Sequence, residues 1–470
     1  MKVDTVIVGA GSAGLSALRE VRRFTDDFLL VNDGHWGTTC AAVGCMPSKA
    51  LIEAANAFHR RGAFEEFGIR GAQGLSADIP AVLARVRRMR DGFVKGPEAV
   101  PGKLGKRAIS GRARLRGPGR LEVNGEAVEA RAIILAPGSS PVVPGPWRDF
   151  GDRILTTDTL FEQADLPRRI AVIGMGAIGV EIAQALARLG LEVAGFDAVE
   201  ALAGIDDPEV LAAFRPLIEA ELALHLGAPA EIEDAGGALG VTGAGGSFEA
   251  DAVLAAMGRR PNIDDLGLET LGVPLDKDGL PEVDAASLRI GELPVFLAGD
   301  ANGSRPLLHE AADEGHIAGR MANPDAEGGG LCRRTPLFIT FSSPQVARVG
   351  PPLSDRGAAD VATGQADFSK QARARMAQTA AGLLRIHADR KTGRLLAAEM
   401  CAPGAEHLAH LLALAVEAEM TVADMLAMPF YHPVLEEGLR SALRDLARDV
   451  AGAGGSDLSD CKAIGHDALD

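Results

Sequence analysis

The chain is 470 residues long, room for about three domains of ordinary size and for a core that needs no disulfide staples. Its 48 Lys and Arg against 64 Asp and Glu leave a net charge of -16, which disfavours nucleic acid and anionic membranes as partners. Five Cys in so long a chain argue against a secreted disulfide framework, and no apolar run reaches the roughly 18 residues of a membrane span; a soluble cytoplasmic protein is expected.

Val3 to Val8 reads as a short strand, starting too early to leave room for a signal or transit peptide. It runs into Gly9-Ala10-Gly11-Ser12-Ala13-Gly14, a helix from Leu15 to Phe24 and a strand from Phe28 to Val31. That is the β-loop-α-β opening of a dinucleotide-binding fold. Cys40 and Cys45 follow, in Gly37-Thr38-Thr39-Cys40-Ala41-Ala42-Val43-Gly44-Cys45-Met46-Pro47-Ser48-Lys49. On a regular helix this spacing turns the second side chain far from the first. A disulfide between them needs a tight, distorted turn, for which Gly44 supplies the freedom. A strained loop at a helix start makes an easily reduced bond, with thiolates stabilised by the helix N-terminus. The pair reads as redox-active. No second ligand pair stands nearby, so no metal site is expected.

Ala50 to about Val94 is helical in pattern, and residues 106 to 135 alternate like a small antiparallel sheet with turns at Pro118-Gly119 and Asn124-Gly125. The opening pattern then repeats. Arg169 to Ile173 is a strand, Gly174-Met175-Gly176-Ala177-Ile178-Gly179 the loop, a helix runs to Leu189, and Leu191 to Phe196 is the next strand. One such loop is weak evidence; two, each between a strand and a helix, point to two nucleotides. Asp197 ends the second unit, and no Lys or Arg occurs between Leu189 and Phe214. A 2′-phosphate would meet no local cation there, which favours NAD over NADP.

Two further strands, Ala252 to Met257 and Val295 to Ala298, end at Gly258 and at Gly299-Asp300. From Thr335 strand-like pieces (337–341, 382–387, 394–400) lead to amphipathic helices at 404–419 and 434–449. These suggest an α+β domain with a broad apolar face, an oligomer interface. Pro433 suits the first turn of the last helix, and Glu437 can reach back to His432. Imidazole backed by carboxylate suits a base working near neutral pH. Cys332 and Cys401 read as buried small apolar residues, and residues 451–470, with Cys461, as a mobile tail.

GAGSAG, TTCAAVGCMPSKAL, Ala136-Pro137-Gly138, GMGAIGVE, GRRPN, AGDANG and YHPVLEEG stand in an order that resembles the two-cysteine flavoprotein disulfide reductases, over nearly the whole chain to about residue 450. Within that family, CMPSKAL and the late His-Pro are most similar to the dihydrolipoamide dehydrogenases. The resemblance implies two Rossmann-like domains, for FAD and NAD, and a C-terminal α+β dimerisation domain. The expected parts are FAD-binding 1–148 and 266–334 (the second part central), NAD-binding 149–265, dimerisation 335–450 and a flexible tail 451–470.

For the cofactors, the resemblance implies FAD contacts at Gly9, Gly11, Gly14, Gly138 and Asp300, and NAD contacts at Gly174, Gly176, Gly179, Asp197 and Gly258. The family's ribose-binding carboxylate is here Asn32, with Asp33 beside it, and a usual hinge Thr is Pro137. Cys45 would lie against the flavin as the charge-transfer thiolate, and Cys40 would exchange with substrate. Lys49, paired with Glu181, would place a cation by the flavin edge. His432 and Glu437 would come from the partner subunit of a homodimer. The implied activity is oxidation of a small dithiol, or of a lipoyl-bearing protein, through the Cys40-Cys45 disulfide, FAD and NAD⁺, serving cell redox homeostasis. The alternatives are an NAD(P)H-dependent reductase of another low-molecular-weight disulfide or metal ion, and a docking subunit of a lipoyl-protein complex.

Overall fold

The structure, a computed structural model, describes residues 1–326, 331–353 and 360–451. The expected tail, from residue 452 on and including Cys461, lies outside them. The chain divides into two compact units, one of residues 1–51, 78–166 and 257–333, the other of 52–77, 167–256 and 334–470.

The first unit is built on a parallel sheet. Strand Lys2–Val8 pairs with Phe28–Asn32 on one side and with Glu126–Leu135 on the other, and Ala108–Ser110 and Val295–Leu297 extend it in parallel. Its central strands are apolar because both faces are covered: Ile7, Leu30, Ile134 and Phe296 lie in one core cluster, Val6, Val31, Ile133 and Leu297 in another. The alternating stretch expected as a separate small sheet is instead an antiparallel flank of this one. Ala113–Gly117 and Arg120–Val123 join it through Glu126–Leu135, a strand long enough to serve both. The single helical block expected from Ala50 to Val94 is also interrupted. Helix Cys45–His59 ends, and a new helix, Ile79–Glu98, starts behind Asp78, which accepts from the Ala81 N–H (3.0 Å). Helical periodicity on both sides conceals that break; Gly68, Gly71 and Pro80 mark it.

The second unit repeats the motif. Strands Ala223–Leu226, Glu192–Asp197, Arg169–Ile173 and Ala252–Ala255 are parallel neighbours, and helix Ala177–Arg188 follows the Gly loop. A five-stranded antiparallel sheet follows, with strands Leu337–Thr340, Gln345–Val349, Leu395–Ala402, Leu383–Asp389 and Val361–Asp367 in that order. Helices Ala405–Glu417 and Glu436–Leu446 share its core, in which Phe368, Leu384, Ile386, Met400, Leu412 and Leu443 are buried. The last helix begins at Glu436, so Pro433 precedes it by three residues instead of forming its first turn. Cys401 is buried as expected, but Cys332 is exposed, since its segment belongs to no strand or helix that would cover it. Among the described residues no helix is long and apolar enough to cross a membrane.

Helix Glu436–Leu446 carries Glu437 and lies hard against strand Val361–Asp367. A Cβ on Gly364 would stand 2.4 Å from the Ala442 carbonyl oxygen and from the Leu446 nitrogen. Both are backbone atoms and cannot turn aside. Gly364→Ala is expected to cost about 1–3 kcal/mol, read as a lower urea midpoint; an unchanged midpoint would refute the close contact.

Candidate active site

Each Gly loop assigns its three glycines different work. In the first, Gly9 has φ +101°, and a Cβ there would lie 2.0 Å from the Ala136 carbonyl oxygen. A Cβ on Gly14 would lie 1.9 Å from the Gly9 carbonyl oxygen, so the helix can press on the strand end only without one. A Cβ on Gly11 would meet nothing within 4 Å. That open position caps helix Ser12–Val21, where free N–H groups and the helix dipole receive an anion. The second loop repeats this: a Cβ on Gly179 would lie 1.8 Å from the Gly174 oxygen, while Gly176 faces open space at the start of its helix. Both loops therefore fit a dinucleotide pyrophosphate.

The side chain ending the second strand ties down the loop in each half. Asp197 Oδ2 accepts from the Met175 N–H (2.6 Å), and its Oδ1 from the Val199 N–H (3.1 Å). Asn32 Oδ1 accepts from the Ala10 N–H (2.9 Å), while its Nδ2 donates to the His35 carbonyl (3.0 Å) and the Gly34 carbonyl (3.5 Å). Asn32 and Asp33 stand in the wall of a cleft of about 610 Å³, which Gly9, Arg112, Pro137 and Asn262 also line. The cleft opens past the carboxyl ends of the parallel strands, where such sheets take their ligands.

Asp300 follows strand Val295–Leu297, and its Oδ2 accepts from the Ser139 hydroxyl (2.6 Å). Arg259 in turn donates to the Ser139 hydroxyl (2.9 Å) and carbonyl (2.6 Å). At the Pro137 departure Asn262 is bonded to the backbone on both sides. Its side chain donates to the Pro137 carbonyl (3.0 Å) and its backbone N–H to the Gly138 carbonyl (2.9 Å). Gly258 falls in the first unit, where its carbonyl accepts from the Val142 N–H (3.1 Å).

The two cysteines occupy successive helices, the first of a single turn. Cys40 lies in Thr39–Ala42, capped by the Thr38 hydroxyl, which accepts from the Ala41 N–H (3.1 Å). Helix Cys45–His59 then starts afresh. The chain breaks helical phase at Val43-Gly44, and the thiols come within hydrogen-bonding reach. Both cysteines are half-buried. A Cβ on Gly44 would lie 3.1 Å from the Thr39 carbonyl oxygen and 3.3 Å from the Cys40 Cα. Contrary to the expectation of thiolates stabilised by a helix start, the Cys40 thiol is pushed upward. Its hydrogen bond with Cys45 contributes most, then burial, with Lys49 opposing.

Lys49 is four residues after Cys45 and so on the same face of that helix. Glu181 is buried on helix Ala177–Arg188 and accepts from the Phe341 N–H (2.7 Å). The two residues belong to different units.

His432 Nδ1 lies 2.9 Å from Glu437 Oε1, and Glu437 Oε2 accepts from the Val434 N–H (3.2 Å). The hydrogen bond from His432 holds the Glu437 carboxyl below the usual range. Gln371 steadies the loop by donating to the Val434 carbonyl (2.6 Å). A Cβ on Gly438 would strike the Phe368 ring at 2.5 Å, so the helix start is set directly on the core. The imidazole itself is open to solvent, with 75% of its side chain exposed.

Sequence reasoning missed Ser139, Asn262, Arg112 and Glu314. Glu314 is buried and accepts from the Gly299 N–H (2.6 Å) and the Asn302 side chain (2.6 Å), fixing the turn that carries Asp300; burial raises its pKa. Asn262 lay within GRRPN and could have been found there. The others owe their place to contacts between distant segments, which leave no local pattern.

Residues 3–315 match the family described as pyridine nucleotide-disulphide oxidoreductase, and residues 338–443 match its dimerisation domain. The dihydrolipoyl dehydrogenase of Thermus scotoductus is 32% identical over 462 residues, covering 95% of this chain and 98% of the relative. The dihydrolipoyl dehydrogenase 3 of Pseudomonas aeruginosa is 31% identical over 471 residues, covering 94% and 97%. Among solved structures, LpdA of Mycobacterium tuberculosis superposes with TM-score 0.81 at 27% identity, covering 94% of this chain and 99% of that one. The HOCl-induced flavoprotein disulfide reductase RclA of Escherichia coli, as its Cu(II) complex, gives TM-score 0.81 at 21% identity over 94% and 99%, a likeness of fold.

Gly44→Ala would push the Cys40 segment away from Cys45. The pair should then shift about tenfold toward the dithiol against glutathione, close to 30 mV for a two-electron couple. An unaltered thiol–disulfide equilibrium would show that Gly44 is not what brings the sulfurs together.

Proposed function

The chain belongs to the pyridine nucleotide-disulphide oxidoreductase family, and from that membership we propose a dihydrolipoyl dehydrogenase acting in the cytoplasm. The family are oxidoreductases of sulfur groups that use FAD and NAD(P)H, and the dimerisation domain supports a homodimer. The observation that carries the specific reading is the hydrogen bond of His432 to Glu437 (2.9 Å). A substrate thiol near pKa 8.5 is mostly protonated at neutral pH, so oxidising a dithiol needs a positioned base.

The proposed sequence begins with the oxidised Cys40–Cys45 pair. His432 of a second copy takes the proton of a substrate thiol on Nε2, since Nδ1 is held by Glu437. The thiolate attacks Cys40 Sγ; the Cys40–Cys45 bond breaks and Cys45 leaves as thiolate. The second substrate sulfur then attacks the mixed disulfide, releasing the substrate as a disulfide and Cys40 as a thiol. Two electrons have then entered the pair, which is left as the dithiol. FAD, when bound, relays that electron pair onward to the nicotinamide. Lys49, on the face of Cys45, is proposed to keep a cation by the flavin edge. We propose the division of labour expected from the sequence, FAD in 1–148 and 266–334, NAD in 149–265 and dimer contacts in 335–450, with 149–166 and 257–265 packed in the first unit with the FAD parts.

NAD is proposed as the nicotinamide. Asp197 stands where a ribose would lie, and Arg215, the next cation along the chain, is engaged by Glu219 (2.8 Å) and Glu200 (3.3 Å). Arg215 is thereby engaged by carboxylates and not offered to a 2′-phosphate.

Steady-state assays with dihydrolipoamide, oxidised glutathione and related disulfides test the substrate. Turnover confined to another disulfide or a metal ion would replace the reading with the reductase alternative, and activity only beside a lipoyl protein would favour the docking one. His432→Gln should slow dihydrolipoamide oxidation by roughly two to four orders of magnitude. Cys45→Ser should remove the long-wavelength absorption of the two-electron-reduced protein; Cys40→Ser should keep that band yet block turnover. Asp197→Arg should move preference toward NADPH, and unchanged kinetics with both cofactors would defeat the NAD assignment.

A further inference from the structure

The adenosine ribose of a dinucleotide presents two hydroxyl donors and asks for an acceptor at the end of the second strand. In the second half Asp197 meets that need. Its two carboxylate oxygens each accept one backbone N–H and keep further lone pairs. In the first half the same position is an amide with a single acceptor atom. Asn32 Oδ1 is bonded to the Ala10 N–H, and both hydrogens of Nδ2 are directed to the Gly34 and His35 carbonyls. Asn32 thus repeats the loop-tying part of the Asp197 role without its two-oxygen surface, and it is buried as well.

Asp33 has the missing chemistry. It lines the same cleft as Gly9 and Asn32, and 57% of its side chain is exposed. Its Oδ2 accepts from Arg112 Nε (3.0 Å), and among the described residues Oδ1 has no partner. Arg112 is itself set in place. Its N–H donates to Asn124 Oδ1 (3.2 Å), while the Asn124 amide donates to the Ser110 carbonyl (3.1 Å). Gly111 donates its N–H to the Asn32 carbonyl (2.9 Å), docking this loop on the strand end. Arg112 also supplies the positive charge that offsets a carboxylate placed in a site for a phosphate-bearing ligand. Asp264, another carboxylate in the cleft wall, is held by Arg260 four residues before it.

We propose that Asp33, tethered by Arg112, is the ribose-hydroxyl acceptor of the FAD site, displaced by one residue from the strand end that Asn32 occupies. The inference rests on the reading that this cleft takes the adenosine half of FAD.

Apoprotein titrated with FAD, and with an FAD whose adenosine lacks the 2′-hydroxyl, tests it through quenching of flavin fluorescence. The unaltered protein should prefer FAD by about tenfold or more, the scale of a hydrogen bond to a charged group. Asp33→Ala should weaken FAD by a similar factor, leave the deoxy analogue nearly unchanged, and so erase the preference. Asp33→Asn, which keeps an oxygen but loses the charge, should retain part of it. An Asp33→Ala protein that discriminates as well as the parent would overturn the assignment. If the parent binds neither flavin, the FAD reading of the cleft fails instead, which is a separate result.

Discussion

The contact between the sulfurs of Cys40 and Cys45 depends on a broken helix. Had the chain run on without interruption, the two side chains would point more than a third of a turn apart. The phase break at Val43-Gly44 removes that angle, and a Cβ on Gly44 would crowd the backbone of Thr39 and Cys40. Lys49 takes its position from the same restart, one turn along the new helix. The hydrogen bond with Cys45 pushes the Cys40 thiol up. Burial reinforces this, and the lysine moderates it.

The two dinucleotide halves show how one local solution serves twice. Strand, glycine turn and helix are arranged alike, and in both a polar side chain at the next strand's end accepts an N–H from the loop. That bond satisfies a donor which would otherwise be left unpaired near a water-excluding ligand. The halves differ in what remains. Asp197 keeps a carboxylate surface, whereas Asn32 exhausts its donors on its own loop.

Much of this was legible because it is local. Glycine spacing, apolar strands and the His-Pro-x-x-x-Glu run each state their geometry within a few residues, and the two Gly loops, the sulfur pair and the His432–Glu437 bond lie where those patterns put them. Less was legible where a pattern is compatible with two outcomes. Alternation at 106–135 describes a strand face and says nothing about which sheet the strand joins; only the length of Glu126–Leu135 allowed it to join the parallel core. Helical periodicity from 50 to 94 could not reveal that the chain stops and restarts. The Ser139–Asp300 bond and the Glu314 anchor connect residues too far apart in sequence for any spacing rule.

His432 and Glu437 are only five residues apart, on one loop and the first turn of one helix, and that helix is seated on Phe368 and Gly364. Imidazole and carboxylate therefore travel as a single cassette. Whatever shifts the helix shifts ring and carboxylate together, while the link that orients the ring stays intact. Where the ring stands and how it is turned are separate variables in this protein, and moving the helix changes the first without the second.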